Sequence, residues 1–383
     1  MDEKKRLIGL SLFANVGVAE AYFKEIGIDI VIANELIDKR AKFYSDIYPE
    51  THMIVGDITD DEIEKIRSQI VNEAIAKRVD FIIATPPCQG MSVAGNRAEF
   101  DERNQLIYYA VDVIQRVNPK YVFIENVPTI LKTKIIVDGI TKLIPDYLKE
   151  VLATYRFNSE TLVKSMDYGV PQMRERNIFL LVRNDIDIVW EFPPKQAHVN
   201  LEEAIGHLPS LDPLLREGLE FTLDKFPEYE KKKAEGEKIS KWHYPPKHSW
   251  KQVEWMMHTP TGKSAIYNTT HYPQKENGEH IVAHHNHYRR MYWDKPSRTI
   301  TQNNGVISSL ACVHPGRPYK IKDEILYSDA RVLSIYELLI VSSLPVNWPI
   351  PNWANESFIR KEIGEGIPAK LVKSILEELI KNL

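Results

Sequence analysis

Residues 7–35, with the sequence LIGLSLFANVGVAEAYFKEIGIDIVIANE, decide the fold class. Residues 7–13 form an apolar run of strand length, residues 16–26 have the spacing of an amphipathic helix, and residues 28–33 form a second apolar run. A strand, a helix and a strand in this order make up the unit from which parallel sheets are built. This segment therefore predicts an α/β fold.

The same alternation continues along the first half of the chain. Further helical periodicity falls in residues 37–48 and 60–77, and further strand-like apolar runs fall in residues 53–55, 81–84, 121–124 and 178–182. Strands that alternate with helices predict a doubly wound, mainly parallel sheet with helices on both of its faces.

The pattern breaks after Phe192. Two prolines follow, and the next stretch is rich in Pro, His and charged residues without clean periodicity, until an amphipathic helix appears in residues 367–383. A chain of 383 residues also exceeds the size at which one core usually stops growing. We predict a main domain of residues 1–192 plus 352–383 and a smaller, irregular domain of residues 193–351.

Bulk composition is that of an ordinary globular protein, with 43% hydrophobic and 27% charged residues. The apolar runs are too short to cross a bilayer, and the first residues show no signal-peptide pattern. With two cysteines, Cys88 and Cys312, there is no disulfide framework. We expect a cytoplasmic protein without a membrane partner.

Positive charge is concentrated in one part of the chain although the net charge is −4. Residues 231–300 hold 13 Lys and Arg against 6 Asp and Glu, together with three of the seven tryptophans between residues 242 and 255 and a fourth at Trp293. Basic side chains interleaved with aromatic ones can follow a phosphate backbone. A solvated insertion would look the same, so both interpretations stay open.

Candidate ligand-binding residues follow the predicted strands, because ligands of doubly wound sheets bind beyond the carboxyl ends of the strands. The first strand runs into residues 13–17 (FANVG), the second into Glu35 and the third into Asp57. The single glycine of the first turn is not the fingerprint of a dinucleotide site. The set favours an adenosine ligand without a phosphate requirement; loop residues or helix caps are the alternative.

Chemically active residues follow the next two strands. Cys88 comes after two prolines and before a flexible glycine-containing segment, where a thiol is exposed and held by a stiff backbone. Glu125 ends the neighbouring strand, where burial can raise a carboxyl pKa and make it a proton donor. Arg174 and Arg176, two residues apart on an extended segment, are expected to face one anionic or carbonyl-rich ligand.

These stretches, taken in order, resemble the signature motifs of the cytosine-C5 methyltransferases. The resemblance covers residues 85–92 (TPPCQGMS), 125–127 (ENV) and 172–176 (QMRER), and also residues 13–17, Glu35, Asp57, 101–106 (DERNQL), 296–301 (PSRTIT) and 364–368 (GEGIP). Residues 195–290 stand where that family carries its variable target-recognition region. The resemblance implies a Rossmann-like S-adenosylmethionine-dependent methyltransferase domain and a smaller target-recognition domain.

The resemblance also implies roles for individual residues. Cys88 would be the nucleophile, Glu125 the proton donor to the ring, and Arg176 and Arg174 the groups that hold the cytosine carbonyl and a phosphate. The cofactor S-adenosylmethionine would be bound by Phe13, Asn15, Gly17, Glu35, Asp57, Ile58, Pro87 and Glu365. The substrate would be contacted by Gln89, Ser92, Arg298 and Thr299. No metal is expected, because the histidine-rich stretch lacks a ligand pattern.

Three positions depart from the family pattern. Asn15 and Val18 stand where glycine is common, and Glu365 stands where the family has asparagine. If Glu365 approaches the carboxylate of the cofactor, it must bind through water, be protonated or point away. The catalytic positions are unaltered.

We therefore expect an active DNA (cytosine-5-)-methyltransferase of the bacterial type II kind, part of a restriction-modification system, that flips its target base out of double-stranded DNA. A monomer, nucleoid-associated and paired functionally with a restriction endonuclease, is the expected form. The alternatives are a tRNA cytosine-C5 methyltransferase of the same family and a non-catalytic DNA-binding module. A nicotinamide-dependent dehydrogenase is disfavoured by the missing glycine fingerprint.

Overall fold

The computed structural model describes residues 6–59, 64–87, 102–275 and 277–383. The strands are β1 Leu7–Leu12, β2 Ile28–Glu35, β3 His52–Val55, β4 Phe81–Ala84, β5 Tyr121–Asn126, β6 Lys134–Val137, β7 Ile140–Leu143, β8 Tyr155–Lys164, β9 Gln172–Met173, β10 Glu175–Arg183, β11 Leu214–Leu215, β12 Lys247–His248, β13 Ser297–Arg298, β14 Pro318–Ile321 and β15 Glu324–Tyr327. The helices are α1 Phe23–Ile26, α2 Asp38–Ile47, α3 Lys65–Ala76, α4 Leu106–Val117, α5 Ile144–Val151, α6 Leu201–Ile205, α7 Leu219–Lys225, α8 Tyr229–Ile239, α9 Trp250–Met257, α10 Ile335–Val341, α11 Glu356–Glu365 and α12 Ala369–Lys381.

Seven strands form the central sheet, in the order β3-β2-β1-β4-β5-β10-β8. The pairs from β3 to β5 are parallel, whereas β10 is antiparallel to both of its neighbours. The prediction of a mainly parallel α/β sheet is confirmed. Parallel strands buried on both faces read as continuous apolar runs, which is why the sequence reveals them.

Two hydrophobic clusters cover the two faces of this sheet. Leu10 and Leu12 of β1 belong to the cluster that holds α3, α4 and α5, while Leu7 of the same strand belongs to the cluster that holds α1 and α12. The apolar stripe of α12, including Leu371 and Ile375, is fully buried against the second face. At about 2 kcal/mol for each buried aliphatic side chain, this stripe fixes the C-terminal helix to the sheet. The amphipathic helix predicted in residues 367–383 is confirmed.

One predicted helix is wrong in extent. Residues 16–26 were expected to be helical, but only α1, Phe23–Ile26, is a helix, and turns precede it. Gly17, inside the predicted range, has a left-handed backbone conformation (φ 77°), which a right-handed helix does not accommodate. The loop after β1 is therefore wider than its apolar spacing indicates.

The remainder of the chain packs in two groups. A third cluster joins Val16, Val18 and Phe43 of the sheet side to α6, α10 and α11. A fourth cluster extends from Leu215 to Val332 and includes residues of β11, α8, α9 and β15. The domain division by composition, with breaks at residues 192 and 352, stays a prediction; the apolar contacts indicate a second core that starts and ends inside those limits.

No helix in the described part of the chain combines the length and the apolar character that a membrane crossing requires.

Candidate functional site

The predicted nucleophile Cys88 lies outside the described residues, as do Gln89 and Ser92. The structure does describe how the segment leading to them is held. Thr85 donates its hydroxyl to the Phe13 carbonyl (3.2 Å), and the Asn126 amide donates to the Pro86 carbonyl (3.0 Å). Pro87 is exposed. The chain therefore leaves β4 pinned between the end of β1 and the end of β5.

Glu125 and Arg176 form an ion pair beside this exit. Arg176 Nε lies 2.7 Å from Glu125 Oε1, and each side chain is 11% exposed. The antiparallel register of β5 and β10 brings them together. Glu125 is opposite Ile178, so Arg176, two residues from Ile178 on the same strand, lies diagonally across from Glu125. Arg176 also donates to its neighbouring carbonyl, that of Glu175 (2.7 Å). A largely buried carboxylate is thus fixed by a guanidinium that has further donors to offer.

Asn126, the second residue of the ENV motif, connects the end of β5 to the segment that follows β4. Its side chain donates to Pro86 and accepts a hydrogen bond from the Val127 N–H (2.8 Å). Both halves of the amide are therefore occupied. The signal in the sequence is an asparagine directly after Glu125, at the end of an apolar run of strand length.

Arg174 has partners quite different from those of Arg176. It is 4% exposed and donates to the carbonyls of Ile300 (2.9 Å), Gly364 (3.0 Å) and Glu365 (2.8 Å). The expectation that both arginines face one ligand assumed a continuous strand. Arg174 lies at the break between β9 and β10, so the alternation of a single strand does not apply.

The loop after β1 is built on left-handed backbone. Phe13 (φ 58°), Asn15 and Gly17 all have positive φ, and a Cβ on Gly17 would lie 2.2 Å from the Tyr48 ring. The Tyr48 hydroxyl donates to the Gly17 carbonyl (2.6 Å). Only one of the three positions is a glycine, so packing and hydrogen bonds must offset the strain of the other two.

Glu35 holds this loop at the end of β2. Its two carboxylate oxygens accept from the Asn15 N–H (2.9 Å) and the Ile37 N–H (2.9 Å), which leaves lone pairs on each oxygen. Asn15 Oδ1 is buried without a hydrogen-bond donor in the described structure. Glu35 has spare acceptor sites, and Asn15 Oδ1 lacks a donor. Both fit a ligand that brings hydroxyl or amino groups, such as a nucleoside that carries an amino acid.

Asp57 follows β3 and is exposed, whereas Ile58 is buried. Thr59 donates to Asp57 Oδ1 from its N–H and from its hydroxyl, both at 2.8 Å. These bonds fix the carboxylate at the same edge of the sheet as Glu35. Phe13 is partly buried against the core cluster of this face.

The segments from the distant end of the chain reach the same edge. β13 pairs with β9 in parallel, and the Thr299 hydroxyl donates to the Met173 carbonyl (3.0 Å). Arg298 is exposed next to it. Glu365 pairs with Arg40 of α2, with Arg40 Nη2 2.5 Å from Glu365 Oε2. Its side chain therefore has a cationic partner that sequence analysis did not identify, because 325 residues separate the two.

The histidine-rich stretch divides into core and surface residues. His243 and His248 are buried, while the rings of His258 and His271 stack 3.6 Å apart and those of Tyr272 and His280 stack at the same distance. Among the described residues no three His, Cys, Asp or Glu side chains are grouped as metal ligands would be. Cys312 is buried, donates to the Val306 carbonyl, and has a pKa that burial raises to about 12.

Comparison with known proteins gives one consistent result. Residues 8–381 match the family model described as C-5 cytosine-specific DNA methylase. The chain is 43% identical over 389 residues to the type II methyltransferase M1.HgaI of Avibacterium volantium, with 99% of each chain covered, and 25% identical to M.DdeI of Desulfomicrobium norvegicum, with 97% and 88% covered.

Solved structures resemble the fold at low sequence identity. A putative DNA modification methyltransferase encoded in an Escherichia coli prophage superimposes with a TM-score of 0.66 at 19% identity, covering 98% of this chain and 99% of that one. DNMT2 of Spodoptera frugiperda gives a TM-score of 0.60 at 17% identity, covering 97% and 99%.

Proposed function

Since this chain belongs to the C-5 cytosine-specific DNA methylase family, we propose that it methylates C5 of a cytosine flipped out of a specific sequence in double-stranded DNA. The enzyme class is a DNA (cytosine-5-)-methyltransferase. The methyl donor in our proposal is S-adenosylmethionine, whose sulfonium supplies an electrophilic methyl group. The match to a type II methyltransferase along the full chain supports a restriction-modification role.

The reaction begins at Cys88. C5 of cytosine is a poor nucleophile, so the Cys88 thiolate attacks C6 while Glu125 protonates N3, which makes C5 enamine-like. The thiolate pair forms the S–C6 bond, and the displaced C5=C6 π pair moves into the ring as N3 takes its proton. S-adenosylmethionine, when bound, would supply the methyl group to C5 and keep the electron pair of the broken methyl–sulfur bond. We assign a water molecule as the base that removes the C5 proton; the C5=C6 bond then re-forms, Cys88 leaves as the thiolate and N3 returns its proton to Glu125.

Arg176 orients Glu125 in this proposal. The guanidinium holds Oε1 at 2.7 Å, so we assign the proton transfer to Oε2. The remaining donors of Arg176 are assigned to the cytosine carbonyl, where a fixed cation stabilises developing charge. Arg174, whose partners are three backbone carbonyls, is proposed as a positioning residue that joins residues 300 and 364–365 to the strand of Arg176.

The cofactor is assigned to the edge formed by the ends of β1, β2 and β3. We propose that Phe13 stacks on the adenine, that Glu35 binds the ribose hydroxyls, and that Asp57 accepts from the adenine amino group. Asn15, Gly17, Ile58, Pro87 and Glu365 are proposed to complete the pocket. The spare acceptor sites of Glu35 and the orphan Asn15 Oδ1 support this assignment.

DNA contacts are assigned to Gln89, Ser92, Arg298 and Thr299, and to the basic second domain. The exposed Arg298 is suited to a phosphate, whereas the Thr299 hydroxyl already donates to Met173 and would contact substrate through its other lone pairs. We further propose a cytoplasmic, nucleoid-associated monomer that works alongside a restriction endonuclease.

The Glu125–Arg176 pair, set beside the exit of β4, is the observation that carries this proposal. Its test is methylation of a plasmid in a bacterial host that lacks cytosine methylation, mapped by bisulfite sequencing. We expect C5-methylcytosine at one short sequence. Incubations with labelled cofactor and either DNA or tRNA follow. Methyl incorporation into tRNA alone would mean that the substrate is tRNA, and no incorporation into either would reject the activity.

The nucleophile is tested with matched cysteine variants. Cys88→Ser should abolish methyl transfer but leave binding of S-adenosylhomocysteine intact. Cys312→Ser is the control, because that thiol is buried, has its pKa raised to about 12 and donates a hydrogen bond that a hydroxyl can also donate. Near-normal turnover by Cys88→Ser would refute covalent catalysis.

A further inference from the structure

A single guanidinium serves several carboxylates at the junction of α2 and α11. Arg40 Nε lies 3.0 Å from Glu362 Oε2, and Arg40 Nη2 lies 2.5 Å from Glu365 Oε2. The side chains of these three residues are only 12%, 2% and 22% exposed. Glu35 is a third carboxylate whose charge acts on Arg40. Three acidic groups therefore surround one largely buried guanidinium, and the next cation, Lys361, is 46% exposed and lies 4.0 Å from Glu365.

This group borders the proposed cofactor edge. Glu35 is the residue that holds the loop of residues 13–17 through the Asn15 N–H. Gly366, which follows Glu365, packs against Val18 directly after that loop: a Cβ on Gly366 would lie 2.7–3.0 Å from the Val18 side chain. The Glu365 backbone is fixed from the other side by Arg174 (2.8 Å). Glu365 is thus held at its carbonyl by one arginine and at its carboxylate by another.

We propose that Arg40 is a positioning residue of the cofactor site, which neutralises the Glu365 carboxylate and keeps it turned away from the carboxylate of the cofactor's amino-acid end. The inference rests on the proposed function, since it concerns the same pocket. Without the guanidinium, the carboxylates of Glu362 and Glu365 would stay uncompensated beside a ligand that itself carries a carboxylate. Like charges repel strongly in a partly dehydrated site.

The electrostatics of the cluster support this role. Burial by itself lowers the pKa of Arg40, but the three carboxylates raise it above its usual value, so the guanidinium stays charged. Burial raises the pKa of Glu362 even though Arg40 opposes the change. One cation therefore does not fully compensate the acidic groups around it. Its removal leaves no other arginine or lysine closer to Glu365 than Lys361, 4.0 Å away, among the described ion pairs.

Two ligands separate this effect from a general loosening of the pocket. S-adenosylhomocysteine has the amino-acid end with its carboxylate, whereas 5′-methylthioadenosine has the adenosine and sulfur but no amino-acid end. We measure the dissociation constants of both by calorimetry for the wild type, Arg40→Met and Arg40→Met/Glu365→Gln. Lys42→Met, in the same helix with an exposed ion pair to Asp46 (2.9 Å), is the matched charge control.

We expect Arg40→Met to weaken S-adenosylhomocysteine binding at least tenfold while methylthioadenosine binding changes less than threefold. Adding Glu365→Gln should restore at least half of the lost affinity on a logarithmic scale, because it removes the uncompensated charge. Equal loss for both ligands, no loss for either, or no recovery in the double variant would each overturn the inference. A wild type that binds neither ligand would instead reject the proposed cofactor.

Discussion

At the scale of single residues, Arg174 and Arg176 have different surroundings although only Glu175 separates them in the chain. Both belong to the stretch QMRER, and spacing alone assigns them to one ligand. In the structure, Arg176 pairs with Glu125, while Arg174 donates to three backbone carbonyls far away in the sequence. The difference arises from the break between β9 and β10, which periodicity does not reveal. A motif identifies the residues; the surrounding fold decides which of them face a substrate.

The role of Glu125 leads to a prediction for Glu125→Gln. A glutamine keeps the shape and can accept a hydrogen bond from Arg176, but it cannot pass a proton to N3. We expect the single-turnover methylation rate to fall by about 100-fold or more, with DNA affinity changed by less than about threefold. Rapid-quench assays with labelled cofactor and DNA-binding titrations measure the two quantities.

Glu160→Gln is the matched control for this prediction. Glu160 lies in the same row of the sheet, because Ile178 is opposite Glu125 on one side and Glu160 on the other. Its side chain is 33% exposed and faces Lys195 at 3.8 Å. Similar rate losses in both variants would mean that Glu125 acts through the general charge of the sheet edge and not as a proton carrier.

At the scale of helices and strands, the sequence predicts best where one physical pattern dominates. The buried parallel strands and α12 were found because apolar runs and a 3.6-residue period are strong signals. β8 escaped because its ten residues, YRFNSETLVK, are mostly polar. The helices and strands of residues 193–351 were not predicted because most of them are short and are joined by irregular chain. In the site, the strand ends were predictable, whereas the Arg40–Glu365 pair was not, since it joins residues that only tertiary packing brings together.

The end of α11 supplies the prediction at this scale. A Cβ on Gly364 would lie 2.2 Å from the Thr301 carbonyl oxygen, and a backbone atom cannot move aside cheaply. Gly364→Ala should therefore lower the free energy of unfolding by about 1–3 kcal/mol, because overpacking forces α11 and the segment of Thr301 apart. Urea denaturation measures it.

Gly305→Ala is the comparison for Gly364→Ala. The atom that a Cβ would approach there, at 3.1 Å, belongs to the Arg360 side chain, which can adjust. We expect its cost to be less than half that of Gly364→Ala. Equal stability of the two variants would show that the contact between residues 301 and 364 relaxes without penalty.

At the scale of the whole molecule, a buried network of charges ties α10 to the chain that precedes it. Arg331 is fully buried between Asp329 (2.8 Å) and Glu337 (2.7 Å), and Arg290 donates to backbone carbonyls nearby. Burial by itself raises the pKa of Glu337, but the field of Arg331 lowers it below its usual value. Such a network loses stability steeply when one member is removed, because its partners stay buried without compensation. It fixes the chain around Arg331 to α10, and α10 belongs to the cluster that also holds Val16, Val18 and Phe43.

His248 lies at the edge of this network and makes the free energy of unfolding depend on pH. Its Nε2 accepts a hydrogen bond from the Val332 N–H (3.3 Å), and burial together with the charges of Arg360, Arg216 and Arg331 lowers its pKa to about 3. The folded value lies below the usual 6.5, so the unfolded chain takes up the proton first as the pH falls. The stability that the neutral ring contributes is present above about pH 6.5 and is lost below it, by about 1.4 kcal/mol for each pH unit.

His248→Gln should therefore reduce the loss of unfolding free energy between pH 7 and pH 5 by about 2 kcal/mol, because the amide oxygen can still accept from Val332 but does not titrate. His314, with a pKa lowered to about 4 by burial, keeps its contribution of the same sign in both proteins. Burial raises the pKa of Glu20 to about 7, so the folded state takes up that proton first and Glu20 opposes the effect of the two histidines; Glu20 is present in wild type and variant alike.

The difference between wild type and variant thus isolates one imidazole, and the exposed His207→Gln gives the baseline for losing a histidine without burial. Urea unfolding at pH 7, 6 and 5 measures the three slopes; a variant slope equal to that of the wild type would mean that water reaches His248 and that the buried network is open to protons.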